Sequence, residues 1–432
     1  METLFACCAG LDVHQKTVWA CVRKLETNGR VSKEIRSFGT MTGQLRELNT
    51  WLLERGVTHA AMESTGVLWK PIYNILSDRM EVWLCNARHI KNVPGRKTDV
   101  KDCDWIAQLM QCGLLKRSFI PLRPVRDLRD LTRTRTCLED DKTRIVNRIH
   151  KVLEDANIKL GAVASDIMGV SGRAMLWKLI GGETDPRELA KLAKRRMKRK
   201  TEPLTQALDG IVSEHHRYML RTLMEQVSSL ERAIAGLDER VAEVMKSADE
   251  KSAAQPAAPA SDGGTGVVKP PLPFLAALKL LTGIGGIKQR GAENILAELG
   301  TDMSPWATHR HITSWAGMCP GNNISAGKSI SGATKKGNNW LRRALTQAAW
   351  AGSRCKKSYL SVKFKRLVRR RGAQRALVAV GDDMLISIYH MLREHTEYKD
   401  LGIDHNPATS KASERAMVRN LERLGYKVTK AA

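Results

Sequence analysis

The chain reads as an α/β domain followed by helical regions, and three observations predict it. Strand-like and helix-like patterns alternate from residue 1 to about 118. Apolar residues then recur at steps of three and four along two long stretches. After an Ala/Pro-rich break the pattern is again mostly helical, interrupted by one long loop of small and cationic residues.

The first apolar run, residues 4–11, spells a buried strand. Residues 17–24 and 31–38 follow as two more, with Asn28-Gly29 as the hairpin turn between them. Residues 42–55 are helical, with Leu45, Leu48, Leu52 and Leu53 on one side. A strand at 58–62, a short helix near 72–77 behind Pro71, and a strand at 82–85 come next. Pro94-Gly95 breaks the chain before a helix from about 98 to 115. Three strands in a meander, then helix, strand, helix, strand, helix, is the order of a ribonuclease-H-like fold.

Residues 125–155 predict one long helix with Leu128, Leu131, Leu138, Ile145, Ile149 and Val152 on a seam. Arg135 and Lys142 interrupt that seam, and the outer face is dense in Arg. A smaller helical region follows, carrying the basic tract 194–200. The cleanest periodicity is Leu220, Leu223, Val227, Leu230, Ile234, Leu237, Val241 and Val244, a coiled-coil seam. Such a seam serves either a helical hairpin with the earlier long helix or self-association, because it does not name its partner. The expected organisation is an α/β domain over 1–118, a helical and coiled-coil region over 119–247, a flexible linker over 248–272, a mostly helical domain over 273–405 and a polar tail over 406–432.

Of the 432 residues, 71 are Lys or Arg against 45 Asp or Glu, a formal net charge of +26. That excess points to nucleic acid before an anionic membrane surface. No apolar stretch reaches the roughly 20 residues of a membrane span. The acidic start Met1-Glu2-Thr3 does not look like a secretory leader. Nine cysteines without a Cys-x-x-Cys pair suit a reducing compartment and speak against zinc. The expected location is cytoplasmic, at the nucleoid.

Four carboxylates stand out. Asp12 and Glu63 end apolar strands, while Asp99 and Asp102 stand three apart at the start of a helix and share one face. Isolated charges resist burial, so packing explains them poorly. Together they suit Mg2+ or Mn2+ and phosphodiester chemistry. His14 reads as a surface or turn residue rather than a ligand, and Asp104 is expected to face away. Further on, Gly283-Ile284-Gly285 between two helices resembles a helix-hairpin-helix, whose glycines let backbone N–H groups approach a phosphate; a plain tight turn is the alternative. The segment 317–343 shows no helical or strand period, and Lys328, Lys335, Lys336, Arg342 and Arg343 there suit phosphates. A serine in it could attack phosphorus, but composition does not choose among Ser325, Ser329 and Ser331.

Gly10-Leu11-Asp12-Val13-His14, Glu63-Ser64-Thr65-Gly66 and Pro94-Gly95-Arg96-Lys97-Thr98-Asp99-Val100-Lys101-Asp102 resemble the signatures of one family. So do Pro320, Ser325-Ala326-Gly327-Lys328, Lys335-Lys336-Gly337-Asn338 and Leu341-Arg342. These are signatures of the DEDD insertion-sequence transposases, the IS-one-ten family, also called bridge-RNA-guided recombinases. The match runs in order along nearly the whole chain. Ala326 stands where Gly is more usual and Cys103 where Ala is usual; neither change removes a reactive group.

The resemblance implies a RuvC-like N-terminal domain with Asp12, Glu63, Asp99 and Asp102 as its metal-holding acids. It also implies a C-terminal transposase domain with Ser325 as the nucleophile. The implied partners are donor and target DNA, a noncoding guide RNA and further copies of the chain, as a dimer or tetramer through the coiled coil. The alternatives are a RuvC-like nuclease or junction resolvase that uses water alone, and a non-catalytic nucleic-acid binder.

Overall fold

The computed structural model describes residues 4–64, 66–87, 90, 102–254, 269–321, 323–325, 328–356, 358–402 and 418–429. Asp99 lies outside them. The chain divides into two compact units, Met1–Ile120 and Pro121–Ala432.

The first unit is built on five strands: β1 (Cys7–Val13), β2 (Thr17–Leu25), β3 (Val31–Gly39), β4 (His59–Glu63) and β5 (Glu81–Cys85). They form one mixed sheet in the order β3-β2-β1-β4-β5. The meander β1–β2–β3 is antiparallel, whereas β4 and β5 join β1 in parallel. The parallel pairings need crossovers, which α1 (Thr42–Glu54) and α2 (Trp69–Leu76) supply. Both helices cover one face, where Leu45, Leu48, Leu52, Ile72 and Leu76 meet Ala9, Leu11 and Met62. The other face takes α3 (Asp102–Gln111), whose Ile106, Leu109 and Met110 pack on Cys8, Ala61 and Cys85. Alternation therefore sends odd positions of β1 to one layer and even positions to the other. The sequence places the end of the first strand before Asp12, but β1 runs on to Val13, with Asp12 paired to Trp19 of β2.

Among its described residues the second unit is helical apart from one hairpin. The long α4 (Arg123–Asp155) carries Pro in its first turn, where a missing N–H costs nothing. Short helices follow: α5 (Leu160–Val163), α6 (Val170–Ile180), α7 (Pro186–Lys191), a 3-10 turn (Arg195–Lys200) and α8 (Thr201–Leu208). Then come α9 (Glu214–Ala254), α10 (Phe274–Thr282), α11 (Gln289–Leu299), α12 (His309–Ala316), strands β6 (Asn323–Ser325) and β7 (Lys328–Ser331), α13 (Asn339–Gly352), α14 (Tyr359–Arg371) and α15 (Ala373–Glu394).

Helix α9 packs along α4 inside the chain. The row Leu220, Val227, Ile234 and Val241 is buried, and Leu220, Leu223 and Val227 share a core with Ile149 and Leu153. The helical-hairpin use of the seam is thus met within one chain. Leu230, Leu237 and Val244 stay half-exposed. Helix α9 also runs to Ala254, into residues expected as linker, because its last turns still have work: Asp249 accepts from the Phe274 and Leu275 N–H groups and caps α10.

Arg135, expected as a break in the α4 seam, is 1 % exposed. Its Nη1 donates to Asp238 Oδ1 on α9 at 2.7 Å and to Glu293 Oε2 on α11 at 2.6 Å, and its Nη2 to Asn294 Oδ1 at 2.8 Å. The expected outer Arg face of α4 is likewise turned inward in part. Arg129 Nε donates to the Ala297 carbonyl at 3.0 Å, and Arg133 takes Glu298 in a two-point pair at 2.7 and 2.8 Å. Burial, opposed by Glu298, pulls the Arg129 guanidinium down to about 10, so it stays charged at neutral pH. Removing one partner of such a pair strands the other charge in a dry site. Arg135→Met should cost about 3–5 kcal/mol. The urea midpoint should fall accordingly, and adding Glu293→Leu should restore most of it. A midpoint unchanged by Arg135→Met would show that the buried pair does not hold the unit together.

Candidate functional site

The acids of the first unit are placed by backbone register. Parallel pairing of β1 with β4 sets Leu11 opposite Met62, so Asp12 and Glu63, each one residue further, come side by side. Both point to the α3 face, since Cys8 and Ala61, at even spacing from them, pack there. Helix α3 runs antiparallel to β1: Leu4 N–H meets the Gln111 carbonyl, and Cys8 Sγ meets the Ala107 carbonyl. Gly10 lies under Cys103 and Ala107. Continuing that line, the N-terminus of α3, with Asp102, arrives toward Asp12 and Glu63.

Gly10 makes this approach possible. A Cβ there would sit 2.2 Å from the Cys103 carbonyl oxygen and 2.3 Å from the Ala107 nitrogen. Both obstacles are backbone, so no rotamer change relieves them. The loop after Glu63 is held by the Ser64 N–H donating to the Cys85 carbonyl at 2.9 Å. Trp69 Nε1 donates to the Gly66 carbonyl at 3.1 Å.

Asp12, Glu63 and Asp102 are gathered at one end of the sheet but are not closed around a point. Among the described residues no three acidic, His or Cys side chains are grouped as for a metal ion. Their donor chemistry, all carboxylate oxygen, nonetheless fits a hard divalent cation. Asp12 keeps a quarter of its side chain exposed. His14 is exposed and follows the last residue of β1, a surface position as expected. Its Nε2 is 3.0 Å from Asp12 Oδ2. Asp104 does face elsewhere: it is 5 % exposed, 2.5 Å from Arg23 Nη1 and 3.1 Å from Lys33 Nζ. Burial opposes its ionisation, but the hydrogen bonds from Arg23 and Lys33 hold its carboxyl below the usual range.

In the second unit the segment 317–343 is not the patternless loop expected. It contains the antiparallel hairpin β6–β7, with Ser325 paired to Lys328 at its tip. Runs of three and four residues are too short for alternation to show in the sequence. The base is tied by the Pro320–Thr334 bridge and by the Gly321 N–H donating to the Ala333 carbonyl at 2.9 Å. Asn338 closes the segment. Its Oδ1 caps α13 through the Trp340 and Leu341 N–H groups, while its Nδ2 donates to Glu298 Oε2 at 2.6 Å. Glu298 is 2 % exposed and also holds Arg133, so the α4 arginines brace the end of the hairpin segment. Sequence reasoning missed Glu298, Glu293 and Asn294, which share one helix with ordinary polar spacing.

Of the cations expected on phosphates, Lys335 and Lys336 are exposed and Arg342 is half-exposed. Arg343 is engaged inside the chain, with both terminal nitrogens 2.6 Å from the Asp140 carboxylate. Gly283 caps α10, and the turn after it serves close packing. A Cβ on Gly286, at φ +100°, would lie 2.4 Å from the Gly352 nitrogen of α13. The Gly285 carbonyl rests against Gly352 as well.

This mixed five-stranded sheet, followed by a mostly helical unit, is consistent with a ribonuclease-H-like domain joined to helical ones. Two family models bear on it. The IS110-type DEDD model, described as a transposase, matches residues 9–158, from β1 through the whole of α4. A second, described as transposase IS116/IS110/IS902 family, matches residues 278–363, from α10 into α14. Together they take in more than half of the chain, which belongs to the IS110 family of transposases, enzymes that act on DNA. A comparison with curated proteins gives no significant match. No helix among the described residues is long and apolar enough to cross a membrane.

Gly10→Val should lift α3 off the sheet. The expected result is loss of soluble protein or a melting temperature lowered by several degrees, whereas Gly29→Ala, at an open turn, should change little. Equal melting of Gly10→Val and the parent would show that α3 does not need this approach.

Proposed function

We propose that the protein is a recombinase that cuts and rejoins DNA through a serine, assisted by acids on a RuvC-like, ribonuclease-H-like domain. The observation that carries this reading is the placement of Asp12 and Glu63 side by side with the start of α3 approaching them. Asp12, Glu63, Asp99 and Asp102 would hold Mg2+ or Mn2+. A bound divalent ion supplies charge neutralisation at the scissile phosphate and lowers the pKa of a hydroxyl nearby.

Ser325 is the nucleophile in this reading. Its Oγ attacks phosphorus, the bond to the leaving sugar oxygen breaks, and the phosphodiester energy is kept in a phosphoserine link. A sugar hydroxyl from another strand then reverses the step and rejoins the DNA. Lys328, Lys335, Lys336 and Arg342 lie on the same segment and suit the backbone phosphates on either side. Arg343 supports the hairpin through Asp140 and reaches phosphate only if that pair opens. Gly283 and Gly285 would offer backbone contacts to a strand, with Gly285 also serving the packing on α13.

Sequence choice by base pairing to a noncoding guide RNA fits a protein whose cations favour backbone contact over base contact. Strand exchange needs several cuts held together, hence further copies of the chain. The half-exposed Leu230, Leu237 and Val244 row of α9 is the candidate surface for a coiled coil between copies. The domain limits 1–118, 273–405 and 406–432 are kept in this reading, and the helical region 119–247 is extended to Ala254, the end of α9. The linker starts after Ala254 in this reading. The nucleoid, in the cytoplasm, is the compartment where such a substrate is met.

The rival is a RuvC-like nuclease or junction resolvase using water on the same acids, since the acids and Ser325 belong to different units. The two readings separate on a denaturing gel. Protein, Mg2+, end-labelled element-junction DNA and RNA transcribed from the element's flank should yield a labelled protein–DNA band. That band should vanish in Ser325→Ala and in Asp102→Ala. Cleavage without a band, unchanged by Ser325→Ala, would leave the nuclease.

A further inference from the structure

A cleft of about 800 Å3 opens between α13, α14, α15 and the base of the β6–β7 hairpin. Its floor is apolar, with Leu367, Val378 and Ala379. Its rim carries Arg342, Arg371 and Arg375, none of which has a carboxylate in ion-pair distance among the described residues. One end is acidic. Asp383 there is ion-paired with Lys363. Asp382 beside it is different: its Oδ1 is buried and has no hydrogen-bond partner among the described residues. Burial, with Asp383 next to it, pushes the Asp382 carboxyl up to about 6 against the pull of Lys363.

Oδ1 has no surface open to the cleft, but Asp382 lines the acidic end and is only half-buried, so the rest of its carboxylate can accept from a group held there. A simple anion would be drawn to the three guanidinium groups but repelled by Asp382. A simple cation would meet the reverse. A nucleotide carries both halves, a phosphate at one end and amino donors on the edge of a flat, largely apolar base at the other.

We propose that this cleft holds one unpaired nucleotide of a single strand, with phosphates on Arg342, Arg371 and Arg375, the base on Leu367 and Val378, and an exocyclic amino group donating to Asp382. The inference rests on the chain's acting on nucleic acid and is independent of the serine step. Adenine, cytosine and guanine present an amino donor. Thymine and uracil have no exocyclic amino group; their single N3–H donor lies between two carbonyl oxygens that the carboxylate repels, so they are disfavoured.

The test is equilibrium binding of the full chain to labelled octanucleotides by fluorescence anisotropy, without Mg2+, so that no covalent step enters. Oligo-dC should bind roughly tenfold tighter than oligo-dT, the discrimination of one good side-chain–base pair. Oligo-rC and oligo-rU form the second arm, and the polymer that shows the larger preference identifies the strand as RNA or DNA. Asp382→Asn, which replaces one acceptor oxygen with a donor, should abolish or invert the preference while oligo-dT binding is kept. Val378→Trp fills the floor and should also remove the preference with Asp382 intact. Arg371→Ala should weaken both oligomers alike. A parent protein without base preference, or a preference that survives Asp382→Asn, would overturn the proposal. Either result leaves the covalent band of the serine reading untouched.

Discussion

The second unit depends on one buried guanidinium. Arg135 of α4 touches Asp238 of α9 and both Glu293 and Asn294 of α11 while being almost wholly out of water. Three helices far apart in sequence meet on a group that tolerates no empty position, because an unpaired charge in such a place is far more costly than an apolar gap. Arg290 extends the arrangement at the surface, reaching Glu139 of α4 and Asp238 of α9. The long α4–α9 pair and the helices that carry the serine hairpin are therefore one body. From there a second set of contacts runs outward: Arg133 to Glu298, Glu298 to Asn338, and Asn338 to the first turn of α13. The hairpin segment that holds Ser325 ends on this chain of polar contacts.

The first unit depends on a close approach instead of a charge. With no side chain at Gly10, the backbone of α3 lies directly on β1. This sets the height at which the N-terminus of α3 meets the ends of β1 and β4. An acid at that N-terminus is also favoured by the helix dipole. Strand register sets Asp12 beside Glu63, and helix packing aims the N-terminus of α3, with Asp102, toward that end of the sheet.

Much of this was legible in the sequence. The five strands and their helices were readable because their patterns are long, and Asp12 and Glu63 because charge is out of place at the end of an apolar run. The long helices were readable from their seams. What escaped has a common physical cause. Arg135 looked like a fault in the α4 seam because a charge at a seam position gives no sign of a partner more than a hundred residues away. Glu293 and Glu298 looked like ordinary surface acids of an amphipathic helix, since periodicity distinguishes a buried face only when that face is apolar. The β6–β7 hairpin was hidden by its brevity.

These internal pairs also change where the basic surplus of the chain can act. The long helix α4 is dense in Arg, yet Arg129, Arg133 and Arg135 are committed to α11. Each such pair removes one cation from the pool that can neutralise phosphates. The surplus must lie elsewhere, and the described residues show two such places. One is the 3-10 turn Arg195–Lys200, none of whose residues is buried. The other is the end of α14, where Arg369, Arg370 and Arg371 stand exposed and lead into the cleft that also holds Arg375. The helix C-terminus favours these three charges locally, and they are exposed to a partner from outside. A cationic surface assembled in this way is available beside the serine hairpin, in the same unit, whereas the long helix that looked most basic is a structural strut.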